Sequence, residues 1–295
     1  MTKEGAIVVN KDVISHIKNS ISTLSKSQKL IAAYIVENYD KAAYMTACAL
    51  GKTTGVSEST VVRFATELGY EGYPQLQKSL QEVIRNKLTH VQRMDVTTAK
   101  IGENDILKTV VHADIDKLRQ TIDGLDNNEF LSAIETIANA EKIYILGTRS
   151  CSSLANFLGF YLNLIFKDVK IISTGAASET FEQLFRIGEK DAVIAISFPR
   201  YSSRTVNAVS YAASKGAGII ALTDSMSSPI VPYATHPLIA RSDMSYFVDS
   251  LVAPLSIINA IIVALVLRNK DNVRNTFEEL ENIWDKYEVY EKHEQ

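Results

Sequence analysis

The chain has 295 residues, 46% apolar and 22% charged, with a formal net charge of −3. That length suits about two domains, and the composition excludes a disordered or low-complexity polypeptide. Two cysteines, Cys48 and Cys151, make neither a disulfide framework nor a zinc cluster, so a reducing, cytoplasmic setting is expected.

The charge is unevenly spread. Residues 1–100 hold 13 Lys/Arg against 9 Asp/Glu, net +4, while residues 101–295 hold 18 against 25, net −7. A relatively basic front half is compatible with a polyanionic partner. No long apolar run follows the first lysine of MTKEGAIVVNKD, so no signal peptide is expected.

The first ninety residues read as helices. Val13, Ile14, Ile17, Ile21 and Leu24 recur at helical spacing. A second helix is expected from near Ser27, burying Leu30, Ile31, Tyr34, Ile35 and Tyr39. DKAAYMTACALGKTTG reads as one short helix ending near Gly51, and a further helix restarts after Pro74. Between them lies GVSESTVVRFATELGY, with Val56, Val61, Phe64, Ala65 and Leu68 as its apolar stripe. Ser57 is placed to cap that helix by accepting from the amide of Ser59 or Thr60. Gly55 stands where a tight turn needs positive φ.

The exposed side then holds Ser59, Thr60 and Arg63, with Ser57 at the tip. Short hydroxyls allow close approach to a duplex, and an arginine can fork onto a phosphate or a guanine edge. The same residues also suit a capped amphipathic helix of any helical domain.

From Leu88 to Asn104 the pattern loosens, as expected of a linker. Ile106, Val110, Leu118 and Ile122 then suggest a connecting helix. Beyond residue 142, KIYILG, VKIIS, DAVIAIS and GIIALTD read as strands alternating with helices, which argues for a parallel sheet covered on both faces. The apolar run 247–269 is interrupted by Asp249, Ser250, Pro254, Ser256 and Asn259, and is read as a core or subunit-interface helix rather than a membrane span.

Two expected strand ends carry hydroxyl clusters. ILGTRSCSS places Gly147, Thr148, Arg149, Ser150, Ser152 and Ser153 at the start of a helix. AISFPRYSSRT does the same with Ser197, Arg200, Tyr201, Ser202, Ser203, Arg204 and Thr205. Helix N-termini, hydroxyls and arginines together favour an anion, and a small phosphorylated ligand is the expected occupant. Serines there can equally be N-caps and no more. Neither loop fits GxxxxGK[ST] or GxGxxG, so a nucleotide cofactor is not expected.

Ala49, Leu50, Gly55, Val56, Ser57, Thr60, Val61 and Arg63, then Leu68, Gly69, Tyr70, Gly72, Tyr73 and Leu76, resemble the helix-turn-helix of the RpiR family of bacterial transcription regulators. The stretch from 125 to 270 resembles the SIS (sugar isomerase) domain that follows it in that family. The resemblance implies an α plus α/β chain, an all-helical head joined to a doubly wound, flavodoxin-like parallel sheet. It implies domains at 1–87 and 125–270, a linker and connecting helix at 88–124, and a C-terminal helix at 271–295. It implies a double-stranded operator as partner of a homodimer or homotetramer; Ser57, Thr60 and Arg63 of the matched residues, with Ser59 of the same exposed face and Lys52 as a phosphate contact, are expected to hold it. A phosphorylated sugar would be the effector: Gly147 and Ser197 carry over from the family's loops and Ser202 by its hydroxyl, while Arg149, Ser150, Ser152, Arg200, Ser203 and Thr205 are expected to join them as the cations and hydroxyls of the same two loops; no cofactor, metal or membrane is expected.

The match departs from the family's G-x-G-x-S and S-x-S-G-x-T loops. Arg149 replaces the second glycine and Cys151 the serine, while Pro199 and Arg200 replace Ser–Gly. Thr223, Asp224 and Ser225 of the TDS…SP segment are either sugar-hydroxyl contacts or a plain turn. SIS domains also occur in isomerases, whose proton transfer needs a base such as Glu179, Glu182 or His236. No nucleophile–base constellation emerges, so a regulator rather than an isomerase or lyase is expected.

Overall fold

A computed structural model describes residues 13–87, 94, 105–172, 177–242 and 248–290, with backbone alone at 82–87 and 177. It divides into two compact units, Met1–Gly102 and Glu103–Gln295. The expected linker lies outside the described residues apart from Met94.

The first unit holds six helices among the described residues: α1 (Val13–Ser20), α2 (Lys26–Glu37), α3 (Tyr39–Ala42), α4 (Ala47–Thr54), α5 (Glu58–Glu67) and α6 (Tyr73–Lys87). Ser25 and Gln28 form a reciprocal capping box that starts α2. Ile17, Ile31, Ile35, Leu50, Phe64, Leu76 and Leu80 close the core. Leu30, expected inside, is 53% exposed, and Ile21 is also exposed; Ala32 takes the buried place on α2.

The helix expected across residues 40–51 is two helices. The chain breaks after Ala42, and α4 runs on past Gly51 to Thr54. Side chains of α6 satisfy the carbonyls at the break. Tyr73 Oη and Gln77 Nε2 both donate to Met45 O, at 2.8 and 2.7 Å, and Gln81 Nε2 donates to Ala43 O at 2.8 Å. Buried backbone acceptors need such partners, which periodicity alone does not reveal. Burial raises the Tyr73 phenol from its ordinary value to about 12.

The second unit is a five-stranded, wholly parallel sheet in the order β2-β1-β3-β4-β5. Its strands are β1 (Ile143–Gly147), β2 (Val169–Ile172), β3 (Ala192–Ile196), β4 (Gly218–Thr223) and β5 (His236–Ile239). Around them run α7 (Ile106–Asp123), α8 (Asn127–Ala138), α9 (Cys151–Ile165), α10 (Ala177–Leu184), α11 (Ser203–Ser214), α12 (Val252–Arg268) and α13 (Lys270–Lys286). Alternate strand residues feed two cores. Ile143, Ile145, Ile194, Ile196, Ile220 and Leu222 pack with α8, α9 and α12. Tyr144, Leu146, Val193, Ala195 and Ile219 pack with Leu184 of α10 and with α11. The order reverses between β1 and β3, the place where such sheets open a crevice beyond their carboxyl ends.

The helix expected from Ile106, Val110, Leu118 and Ile122 forms, but only Val110 and Leu118 are half-buried, Leu118 against the core. Ile106 and Ile122 are exposed, whereas Lys117 and Thr121 are buried. Helix α7 also bonds to the segment after β5: Arg241 N donates to Thr121 Oγ1 at 2.9 Å, and Ser250 Oγ donates to Asp114 Oδ1 at 2.6 Å. In α12, Ala253, Ile257, Ile258, Ile261 and Leu265 are core residues, while Val263 and Leu267 are exposed. No single helix among the described residues is long and apolar enough to cross a membrane; α12 and α13 reach that length only together, bent by 97°.

Candidate nucleic-acid interface and anion site

Helices α4 and α5 are joined by a three-residue turn. Gly55 has φ 72°, and its amide closes α4 onto Gly51 O and Lys52 O. Val56 N donates to Gly51 O at 2.9 Å. A Cβ on Gly51 would meet Val56 O at 2.8 Å, so the turn fits only a residue without one. Thr46 caps α4 through Ala49 N, and Ser57 caps α5 through Thr60 N at 3.2 Å. Val61, Phe64, Ala65 and Leu68 are buried, as the stripe requires, while Val56 is only half-buried.

Lys52, Ser57, Ser59 and Arg63 are exposed and Thr60 is half-exposed. The Ser57 hydroxyl lies 2.9 Å from Ser59 Oγ and 2.8 Å from Thr60 Oγ1. These hydroxyls therefore form one cluster at the helix tip, with part of their bonding capacity already used.

The second site lies beyond β1 and β3. Gly147 ends β1; a Cβ there would meet Cys151 O at 2.6 Å and Ala155 Cβ at 3.0 Å, so the strand end and α9 approach this closely only without a side chain. Arg149 takes φ 57°, the left-handed region that a glycine at that position would occupy without strain. The backbone of the loop thus keeps a glycine-like bend, while the side chain, exposed, adds a cation.

The two loops meet through Thr148 Oγ1 and Thr205 Oγ1, 3.1 Å apart. Ser197, Thr205 and Cys151 are buried; Ser152 and Ser202 are half-buried; Arg149, Ser150, Arg200 and Ser203 are exposed. Burial pushes the Cys151 thiol up, opposed by the Phe198 backbone, with the nearby Asp249 charge adding to the rise.

The helix starts differ. At α9 the amides of Cys151, Ser152 and Ser153 close turns onto the carbonyls of Thr148, Arg149 and Ser150. Ser152 Oγ also donates to Arg149 O at 2.5 Å. The α9 start is therefore largely satisfied by its own loop, contrary to the expectation of open donors there. At α11 Val206 N donates to Ser202 O, and the Ser202 side chain makes no cap bond. Ser202 and Ser203 stand beside this N-terminus, and the Ser202 hydroxyl is not spent on capping it.

Beyond β4, Thr223 and Asp224 are buried and serve the scaffold. Thr223 Oγ1 donates to Ser197 O at 2.7 Å, and Tyr201 Oη donates to Asp224 Oδ1 at 2.7 Å. The plain-turn reading of this segment is the one the contacts favour, and the tie fixes the β3 loop. Sequence reading missed the Tyr201–Asp224 pair, whose partners are 23 residues apart. His236 is likewise structural: Nδ1 lies 2.7 Å from Glu129 Oε1 and Nε2 2.9 Å from Thr136 Oγ1, fastening β5 to α8. Glu179 is exposed in the first turn of α10.

A helix-turn-helix domain model of the rpiR family matches residues 11–87, and a SIS domain model matches residues 136–264. The HTH-type transcriptional regulator HexR of Escherichia coli is 23% identical over 293 residues, 93% of this chain and 96% of that protein. An HTH-type transcriptional regulator of Clostridium perfringens is 25% identical, over 80% of this chain and 84% of its own length. Among solved structures, the sugar isomerase domain of an RpiR transcription factor from Sphaerobacter thermophilus superposes with TM-score 0.58 at 26% identity, covering 61% of this chain and 99% of that one. The Vibrio vulnificus NanR protein, solved in complex with ManNAc-6P, has TM-score 0.55 at 21% identity and covers 92% of this chain and 98% of its own, a likeness of fold. The two domain models, in this order and together spanning most of the sequence, place the chain in the RpiR family of helix-turn-helix transcription regulators.

Proposed function

We propose that this regulator holds a double-stranded operator through α4 and α5 and senses a phosphorylated sugar at the carboxyl edge of β1 and β3. Lys52, Ser59 and Arg63 supply exposed donors at the front of the head, where a recognition helix meets phosphates and base edges. The observation that carries the sensor half is the Thr148–Thr205 contact, which draws the two loops together at the topological switch point.

The phosphoryl group is best served on the α11 side, by Ser197, Ser202, Ser203 and Thr205, because the α9 amides already bond their own loop. Arg149 and Arg200 border the crevice and add charge; Ser150 and Ser152 line its α9 side, and Gly147 lets α9 approach the end of β1. That NanR was solved with ManNAc-6P supports a phosphosugar as the ligand class.

We read the chain as a sensor rather than an isomerase. His236 has both ring nitrogens engaged by α8, leaving it no role as a mobile base. We further propose that the protein works in the cytoplasm as a homodimer or homotetramer, since paired heads match paired half-sites. The exposed Val263 and Leu267 of α12 suit such a contact.

A ligand alters operator affinity only if it prefers one arrangement of the assembly. Helix α7 provides a route, because its bonds from Thr121 and Asp114 reach the segment that follows β5 on the ligand edge.

The test is a thermal-shift panel of sugar phosphates and amino-sugar phosphates, with inorganic phosphate as control, followed by duplex binding with each hit. A raised Tm with one sugar phosphate and a changed duplex affinity is the expected result. Conversion of that sugar phosphate by the purified protein would overturn the sensor reading.

A further inference from the structure

Helix α5 divides cleanly by burial. Val61, Phe64, Ala65 and Leu68 form its inner side, and Ser59, Val62, Arg63 and Thr66 are all exposed. At 3.6 residues per turn these four fall within an arc of about 100°. Val62, 40% exposed, stands at one edge of the arc and is its only apolar residue. Glu58 and Glu67, the acidic residues of α5, stand about a quarter-turn to either side of the arc's centre.

The polar residues of the arc have already used part of their capacity. Ser59 Oγ lies 2.9 Å from Ser57 Oγ, and Thr66 Oγ1 donates to Arg63 O at 2.9 Å. What remains facing outward is the Arg63 guanidinium at one edge of the arc and the Val62 methyls at the other. In the major groove only thymine, among the unmodified bases, displays a methyl group, and apolar side chains read it by contact.

We propose that Val62 is a base-reading residue, recognising a thymine C5-methyl group while the adjacent Arg63 supplies the cation. This rests on α5 being the recognition helix and names one specificity determinant within it. Val62 acts by burying methyl against methyl, so its contribution is sequence-specific and nearly independent of salt, unlike a phosphate contact.

The full chain is used to enrich duplexes from a random pool, and the enriched duplex is remade with single thymines replaced by deoxyuridine, which removes only the methyl. The wild type is expected to lose about three- to fivefold in affinity at one thymine or more, the scale of one buried methyl group. Val62→Ser, a helix-compatible change at an exposed position, should bind thymine and deoxyuridine probes equally, while Val62→Ile keeps the discrimination.

Indifference of the wild type at every thymine overturns the proposal, and so does a Val62→Ser protein that keeps the loss at the same position. A Val62→Ser protein of lower oligomeric mass would instead place the side chain in a protein contact and also overturn it. If the wild type enriches no duplex at all, the recognition-helix reading fails first and takes this inference with it.

Discussion

Ser57 and Ser202 stand in nearly the same place on different units. Each precedes a helix, and each has extended backbone, at φ −74°, ψ 152° and φ −79°, ψ 122°. Ser57 accepts from Thr60 N and closes its helix; Ser202 makes no such bond. A serine before a helix can therefore be a finished cap or a helix start left for something else to complete. The head of the chain uses the first solution, where the helix must be stable before it meets DNA. The α/β unit uses the second, at the edge where a ligand is proposed to bind.

The largest test of that contrast is on the ligand side. Ser197→Ala with Ser202→Ala should abolish the stabilisation given by the active sugar phosphate, about 2.7 kcal/mol when the ligand is at a hundred times its dissociation constant. The unliganded Tm should barely move. An undiminished ligand shift in the double variant would place the phosphoryl group on the α9 loop instead.

On the DNA side, Arg63→Ala should weaken the enriched duplex by about ten- to a hundredfold. The sugar-phosphate thermal shift should be unchanged, because the substitution lies in the other unit. Loss of both responses together would mean that the residue supports folding rather than recognition.

A smaller effect is expected between the two sites. Ser250→Ala removes the bond to Asp114 and should cost about 1 kcal/mol of stability. Its sharper readout is coupling: the sugar phosphate should still bind, while its influence on duplex affinity shrinks. Full retention of that influence would remove α7 from the route.

What the sequence revealed follows from the range of the forces involved. The helix-turn-helix was legible because its determinants are local: Gly55 for the turn, Ser57 for the cap, and Val61, Phe64, Ala65 and Leu68 for one face. The central strands were legible because burial on both sides makes continuous β-branched runs such as Ala192–Ile196. Strand β5 was not, since it is a four-residue edge with Pro237 inside it, and edges tolerate what centres exclude. Helix α8 went unnamed although its signals were present: Asp126 as a cap, then Ala133, Ile134 and Ile137 at helical spacing.

The hydroxyl-rich loops were equally visible, but how their bonds are allotted was not. That Cys151, Ser152 and Ser153 close turns on their own loop, while Tyr201 reaches Asp224, depends on backbone angles and on contacts between distant segments. Composition of a loop identifies donors; only the fold says which of them are already in use.

The most delicate test bears directly on the paired serines. Ser57→Ala should destabilise the head by about 1 kcal/mol, the usual cost of a lost cap. Ser202→Ala, with no cap bond to lose, should cost no more than about 0.5 kcal/mol, the scale of an ordinary surface change. The measurement is denaturant unfolding of each single variant without ligand, read as a change in midpoint at constant slope. Two units can unfold separately, so the signal must be assigned. The lone tryptophan, Trp284 of α13, reports the second unit, and helical circular dichroism reports both. Equal costs at the two positions would mean that Ser202 caps its helix in solution after all, and the α11 end would lose its claim as the anion site.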